Sequence, residues 1–175
     1  AELRTMPAAH VVPLPDDIDD ETAAAGLLKG ITADFLLHRV HAVKPGDWVL
    51  VHAAAGGVGL LLCQWARALG AKVIGTVGSA EKARLARDHG CAWPIPYREQ
   101  DFVAAVMEIT GGRGVDVAYD AVGADTFRRS FEALATFGHL VSFGQASGDI
   151  GAVDVAGFAA KSARLSRPNY GHYVA

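Results

Sequence analysis

The sequence predicts a doubly wound α/β fold on a parallel six-stranded sheet, and three observations carry that expectation. From residue 47 onward, short β-branched or apolar runs alternate with helix-like stretches, and parallel neighbours need a crossover that is usually helical. A glycine-rich segment stands between the first such run and the first such helix. The composition, 51% apolar and 20% charged over 175 residues, is that of a packed single domain rather than a disordered chain.

In chain order, Pro7, Pro13 and Pro15 keep the first segment out of any helix, and the acidic run 16–20 follows. Over 21–40, Leu27, Leu28, Ile31, Phe35 and Leu36 recur at helical spacing and predict a helix with those residues on its apolar stripe; Gly26 and Gly30 mark close packing or a break. Residues 48–53 predict the first strand, 58–69 a helix closed by Gly70, and 72–77 the second strand. Ser79 caps a helix running to about 89, and 93–97 is a short strand weakened by Pro94 and Pro96. Asp101 caps a helix with Phe102, Val106 and Ile109 on one face, stopped by Gly111 and Gly112. A fourth strand over 115–119, a helix with Phe127, Phe131 and Leu134 as its stripe, and strands over 140–143 and 163–166 complete the pattern.

Charge and cysteine usage exclude several functions. Sixteen basic against nineteen acidic residues give a net charge of −3, whereas a phosphodiester-binding surface needs a basic excess, so no nucleic-acid partner is expected. Cys63 and Cys91 lack the C-x-x-C spacing of zinc or redox sites and are too few for a disulfide scaffold, which fits a reducing, cytoplasmic setting. No run approaches the roughly 18 apolar residues of a membrane span, so no membrane partner is expected.

The segment 49–59 carries the chemistry. Set against G-x-G-x-x-G, it places Ala54, Gly56 and Gly59 at the three positions, following a strand and opening a helix. Gly56 lets the backbone approach a pyrophosphate and Gly59 lets the helix pack on the strand. The amides of Gly57 and Val58, with Ala55 leading into them, sit at a helix N-terminus that favours anions. At the end of the second strand, NAD enzymes carry Asp or Glu for the ribose 2′-hydroxyl; here Thr76-Val77-Gly78-Ser79 has no carboxylate. Without that clash, Ser79 and Lys82 can serve a 2′-phosphate, so the sequence leans to NADPH, the other reading of Lys82 being a solvated helix face. Cys63 reads as a small core residue, and His38, His41 and His52 are not spaced as metal ligands. Asp116 and Asp120 read as structural or solvent-facing and the three tryptophans as packing residues; no catalytic residue is assigned.

The stretch 52–59, Gln64-Trp65-Ala66 and Gly70-Ala71-Lys72-Val73-Ile74-Gly75-Thr76-Val77 resemble the zinc-independent quinone oxidoreductases, the zeta-crystallin-like branch of the medium-chain dehydrogenases/reductases. Leu28-Lys29-Gly30-Ile31-Thr32, Tyr97-Arg98-Glu99, Tyr119-Asp120-Ala121-Val122-Gly123 and Val141-Ser142-Phe143-Gly144 extend the resemblance along nearly the whole chain. It implies a Rossmann fold, Lys82 and Tyr97 at the NADPH 2′-phosphate, and Thr32, Phe143 and Gly144 at the nicotinamide half. Gln145-Ala146 departs from the more polar pair common in the family, and Pro94 and Pro96 depart from its plainer strand.

The family also implies a separate GroES-like substrate domain. Residues 1–15 are then expected to be a connecting segment from that domain and 16–175 the NADPH-binding domain, the whole being about half of a two-domain enzyme. The implied reaction is transfer of reducing equivalents from NADPH to a quinone or related conjugated carbonyl, without zinc or flavin, and the implied assembly a homodimer through the sheet edge. An enone or enoyl-thioester reductase on the same fold, or a non-catalytic NADPH-binding module or redox sensor, are the competing readings.

Overall fold

The computed structural model describes residues 4–173; the outermost residues of both expected segments, 1–3 and 174–175, lie outside the described residues. Trp48–Val51 (β1), Lys72–Val77 (β2), Trp93–Pro96 (β3), Val115–Asp120 (β4), Leu134–Ser142 (β5) and Arg164–Ser166 (β6) pair in parallel throughout. The strand order is β3-β2-β1-β4-β5-β6. It reverses between β1 and β4, and in such sheets ligands bind beyond the carboxyl ends of the strands at that reversal.

Five helices cover the two faces: Asp20–Phe35 (α1), Gly57–Ala68 (α2), Ala80–Asp88 (α3), Phe102–Ile109 (α4) and Phe127–Ala133 (α5). Strand alternation sorts the core into two layers. Val49, Val51, Val73, Val77, Val117 and Tyr119 pack with α1, α2 and α3 through Phe35, Leu62 and Ala86, and with Leu36 just after α1. Leu50, Ile74, Ile95, Ala118 and Leu140 face α4 and α5 through Phe102, Val106 and Phe127. Each fully buried aliphatic or Phe side chain contributes about 1.5–3 kcal/mol relative to exposure, so these two layers dominate the stability.

The caps expected from sequence form. Ser79 Oγ accepts from the Lys82 amide, and Asp101 accepts from the Val103 and Ala104 amides. Asp19 likewise accepts from Thr22. Cys63, with no exposed surface, is a core residue as expected. The prolines of β3 are tolerated because β3 is an edge strand.

Several expectations are corrected. The helical stripe over 21–40 is not uniformly buried: Leu27 and Leu28 are 49% and 61% exposed, while Ala33, Phe35, Leu36 and Leu37 are interior. Neither Gly26 nor Gly30 breaks the helix or packs closely, since a Cβ at either would meet nothing within 4 Å. The irregularity comes later, where Leu36–Val40 widens into a π-turn whose Leu36 carbonyl accepts from Tyr119 Oη at 3.1 Å. β1 stops at Val51, because Ala53 turns into the left-handed region at φ 52°.

Leu134 belongs to β5 rather than to the preceding helix, and β5 begins six residues before the expected 140. The extra length is a bulge. Val115 pairs with Leu134 and Val117 with His139, so five steps on β5 oppose two on β4. Phe137, at φ 65°, is 71% exposed on the bulge, with its amide bonded to Lys161 O at 2.7 Å.

Candidate functional site

The loop from β1 to α2 is shaped by its own backbone. The Ala54 amide bonds Thr76 O at 3.0 Å and the Gly56 amide bonds Ala53 O at 2.8 Å, folding residues 53–56 over the end of β2. A Cβ at Gly59 would lie 2.3 Å from Ala53 O and 2.9 Å from the Ala54 backbone, so the helix approaches the loop as closely as only glycine permits. No side chain caps α2 at Gly56, in contrast to α1, α3 and α4. The amides of Gly57 and Val58 thus open the helix without a capping oxygen, at the end of its dipole that attracts anions.

Beside this loop lies a cleft of about 360 Å³ lined by Ala53, Ala55, Gly56, Thr76, Val77, Gly78, Ser79, Lys82, Tyr97 and Arg98. Six of the eleven residues singled out in the sequence therefore meet in one place. The Ser79 oxygen accepts from the Lys82 amide at 3.2 Å, which leaves the hydroxyl proton free to donate. The Tyr97 ring stands over Gly78, its Oη 3.5 Å from where a Cβ there would be. Two cationic side chains and no carboxylate line the cleft, an electrostatic balance suited to a dianion.

Gly57 and Val58 adjoin the cleft along the chain. Thr32, Phe143 and Gly144 do not line it. Thr32 sits in α1, its hydroxyl donating to Leu28 O at 2.7 Å. Phe143 and Gly144 follow β5, their amides reaching Asp120 O at 2.9 and 3.3 Å. Arg167 braces that segment, bonding the Gly144 carbonyl and Gln145 Oε1, each at 2.9 Å.

A second cleft of about 210 Å³, mostly apolar, is lined by Ala53, Thr76, Tyr97, Gln100, Phe102, Val122, Asp125, Thr126 and Arg129. It shares Ala53, Thr76 and Tyr97 with the first. Its far wall is the β4–α5 loop, organised by Asp120. That buried carboxylate accepts from the Val122 and Gly123 amides at 2.8 and 3.1 Å and from Thr126 Oγ1 at 2.9 Å.

Sequence reasoning missed Arg98, Thr76 and His52. Arg98 directly follows Tyr97, and that adjacency was the available signal. His52 and Thr76 carried none, because their role depends on strands pairing across the sheet. His52 is buried with Nδ1 3.0 Å from Thr76 Oγ1 and Nε2 2.9 Å from Ser130 Oγ. Ser130 spends its proton on Thr126 O, and Thr76 Oγ1 accepts from the Ala53 amide. The network therefore assigns the Nε2–H tautomer, with Thr76 donating to Nδ1. Burial pushes the His52 pKa down to about 4, against a smaller upward pull from Asp120.

The remaining candidates are structural. Hydrogen bonding to Cys91 and burial push the Cys63 thiol well up, away from nucleophilic use. Asp116 binds Arg113 and the Trp48 amide, and Trp48 packs against Trp93 at 5.1 Å between ring centroids. Among the described residues no group of three or more His, Cys, Asp or Glu side chains is placed to hold a metal ion, and no helix is long and apolar enough to cross a membrane.

Comparison with known proteins agrees with this geometry. Residues 57–173 match the zinc-binding dehydrogenase family. The chain is 49% identical over 176 residues to 2-haloacrylate reductase of a Burkholderia species, covering 98% of this chain and 53% of that protein. The crystal structure of quinone oxidoreductase from Pseudomonas syringae pv. tomato superposes with a TM-score of 0.94 at 46% identity, over 97% of this chain and 52% of that one. Escherichia coli quinone oxidoreductase complexed with NADPH gives a TM-score of 0.89 at 48% identity, over 93% of this chain and 50% of that one. The chain spans about half the length of the relatives it matches. The uncapped α2 N-terminus, the cationic cleft at the end of β2 and these matches lead to one assignment: this chain belongs to the zinc-binding dehydrogenase family.

Proposed function

We propose that this chain binds NADPH and forms the nucleotide-binding part of a reductase whose acceptor is a quinone or related conjugated carbonyl. The observation that carries this reading is the cleft holding Ser79, Lys82, Tyr97 and Arg98 without a carboxylate, adjoining the open start of α2. The NADPH-bound relative supports it. In this reading the Gly57 and Val58 amides take the pyrophosphate, while Ser79, Lys82 and Arg98 surround the 2′-phosphate with Tyr97 beside it. The apolar second cleft takes the adenine, with Tyr97 between the two. Thr32, Phe143 and Gly144 face the nicotinamide half, and Arg167 keeps the segment after β5 in shape. Bound NADPH supplies a hydride; the chain's own residues bind and orient.

Isothermal titration tests the cofactor assignment. The chain is expected to bind NADPH more tightly than NADH, and Lys82→Ala to weaken NADPH by about 1.5–3 kcal/mol, the size of a charged phosphate contact, with little change for NADH. Equal affinity for the two cofactors, or unchanged NADPH binding in Lys82→Ala, overturns the assignment.

Reduction of an activated C=C bond is the second reading for the acceptor, favoured by the 49% identity to 2-haloacrylate reductase. Residues 1–15 are read as a connection from a substrate domain. Turnover by the full-length parent of a quinone, an enone and an enoyl thioester separates the acceptors; no turnover of any would favour a non-catalytic NADPH-binding module. A homodimer through β6, working in the cytoplasm, completes the proposal.

A further inference from the structure

Lys29 is a cation outside the cleft that holds Lys82 and Arg98. It lies in α1, half-buried, on the side that meets the start of α2. An ideal Cβ at Gly57 would stand 2.6 Å from Lys29 Cε, 2.7 Å from Cδ and 3.7 Å from Nζ. The lysine stem therefore crosses directly over Gly57, the first residue of α2, with its ammonium 3.7 Å from that Cβ position. There it donates to the Ala25 carbonyl of its own helix at 2.6 Å. No salt bridge among the described residues includes Lys29.

The placement is electrostatically one-sided. The N-terminal end of α2 carries partial positive charge, so a second positive charge against it is unfavourable until an anion lies between them. Lys29 is also separate from the cleft that holds Lys82, which it does not line.

We propose that Lys29 is a cofactor-binding residue: its ammonium leaves the Ala25 carbonyl to take an oxygen of the cofactor's pyrophosphate at the start of α2. This rests on the NADPH reading above. It divides the two lysines by phosphate, with Lys82 answering the 2′-phosphate that separates NADPH from NADH and Lys29 the pyrophosphate that both share.

The test uses the 175-residue chain and three probes in calorimetric titration: NADPH, NADH and adenosine 2′-monophosphate, which has no pyrophosphate. Lys29→Met, which keeps the stem and removes the charge, is expected to raise the Kd of NADPH and NADH by the same factor, about tenfold for one charge-assisted contact, with adenosine 2′-monophosphate unchanged. Lys29→Gln should repeat the pattern, and Lys29→Arg should stay within about threefold of the unaltered chain. Lys82→Ala should show the opposite pattern, weakening NADPH and adenosine 2′-monophosphate and sparing NADH. NADPH binding within twofold of normal in both Lys29→Met and Lys29→Gln overturns the inference, as does equal weakening of all three probes. If the unaltered chain binds neither dinucleotide, the NADPH reading itself falls, a result distinct from either.

Discussion

At the residue scale, Gly57 and Gly59 occupy the same loop and answer to different constraints. A Cβ at Gly59 meets backbone oxygen and carbon that cannot move aside, whereas one at Gly57 meets only the far end of Lys29. Gly59→Ala is accordingly expected to cost about 1–3 kcal/mol in urea unfolding, as overpacking does, and Gly57→Ala much less. His52 sets a pH dependence of the same sign as a salt-bridged carboxylate, in a higher pH window. Its pKa is about 4 in the folded chain against 6.5 unfolded, so between those values the unfolded state binds the extra proton. Stability is therefore full above about pH 6.5 and falls as the pH drops toward 4, by about 3 kcal/mol from His52 alone. His139 adds to the same window, its pKa lowered to about 4 by burial, His41 and Arg164. Unfolding midpoints measured from pH 7.5 to 4.5 check this; a His52→Asn chain should show a shallower decline, and an unchanged slope would contradict the assignment.

At the scale of elements, the β4–α5 loop hangs on one carboxylate. Asp120 gathers two amides and a hydroxyl while fully buried, so Asp120→Ala leaves those donors unpaired. A loss of about 3 kcal/mol is expected, read as a fall in the urea midpoint. β2 was legible to the residue because Lys72–Val77 is a β-branched run bounded by Gly70 and Gly78. α3 and α4 were legible because Ser79 and Asp101 announce their starts. The early part of β5 was not. Leu134 continues the helical spacing of Phe127 and Phe131, but it pairs with Val115 of β4 ahead of a bulge on which the Phe137 amide bonds Lys161 O. The candidate site divides in the same way. Spacing marked Gly56, Ser79 and Lys82, whereas Arg98 shares their cleft and Lys29 reaches Gly57 only once β3 and α1 have packed.

For the whole molecule, the two edges of the sheet are unlike. β6 is three residues long and exposes Leu165, and the proposed dimer joins there; light scattering on the eluted chain should give twice the monomer mass, and a strict monomer at high concentration would refute it. The opposite edge is β3. The Tyr97 amide bonds inward to Val77 O at 3.2 Å, and strand alternation then turns the nitrogens of Pro94 and Pro96 outward, where neither has a hydrogen to give. A strand arriving at β3 finds carbonyls and no donors. Two chains joined at β6 would therefore present a proline-blocked rim at each outer end, so that the combined sheet terminates at twelve strands instead of growing into a filament.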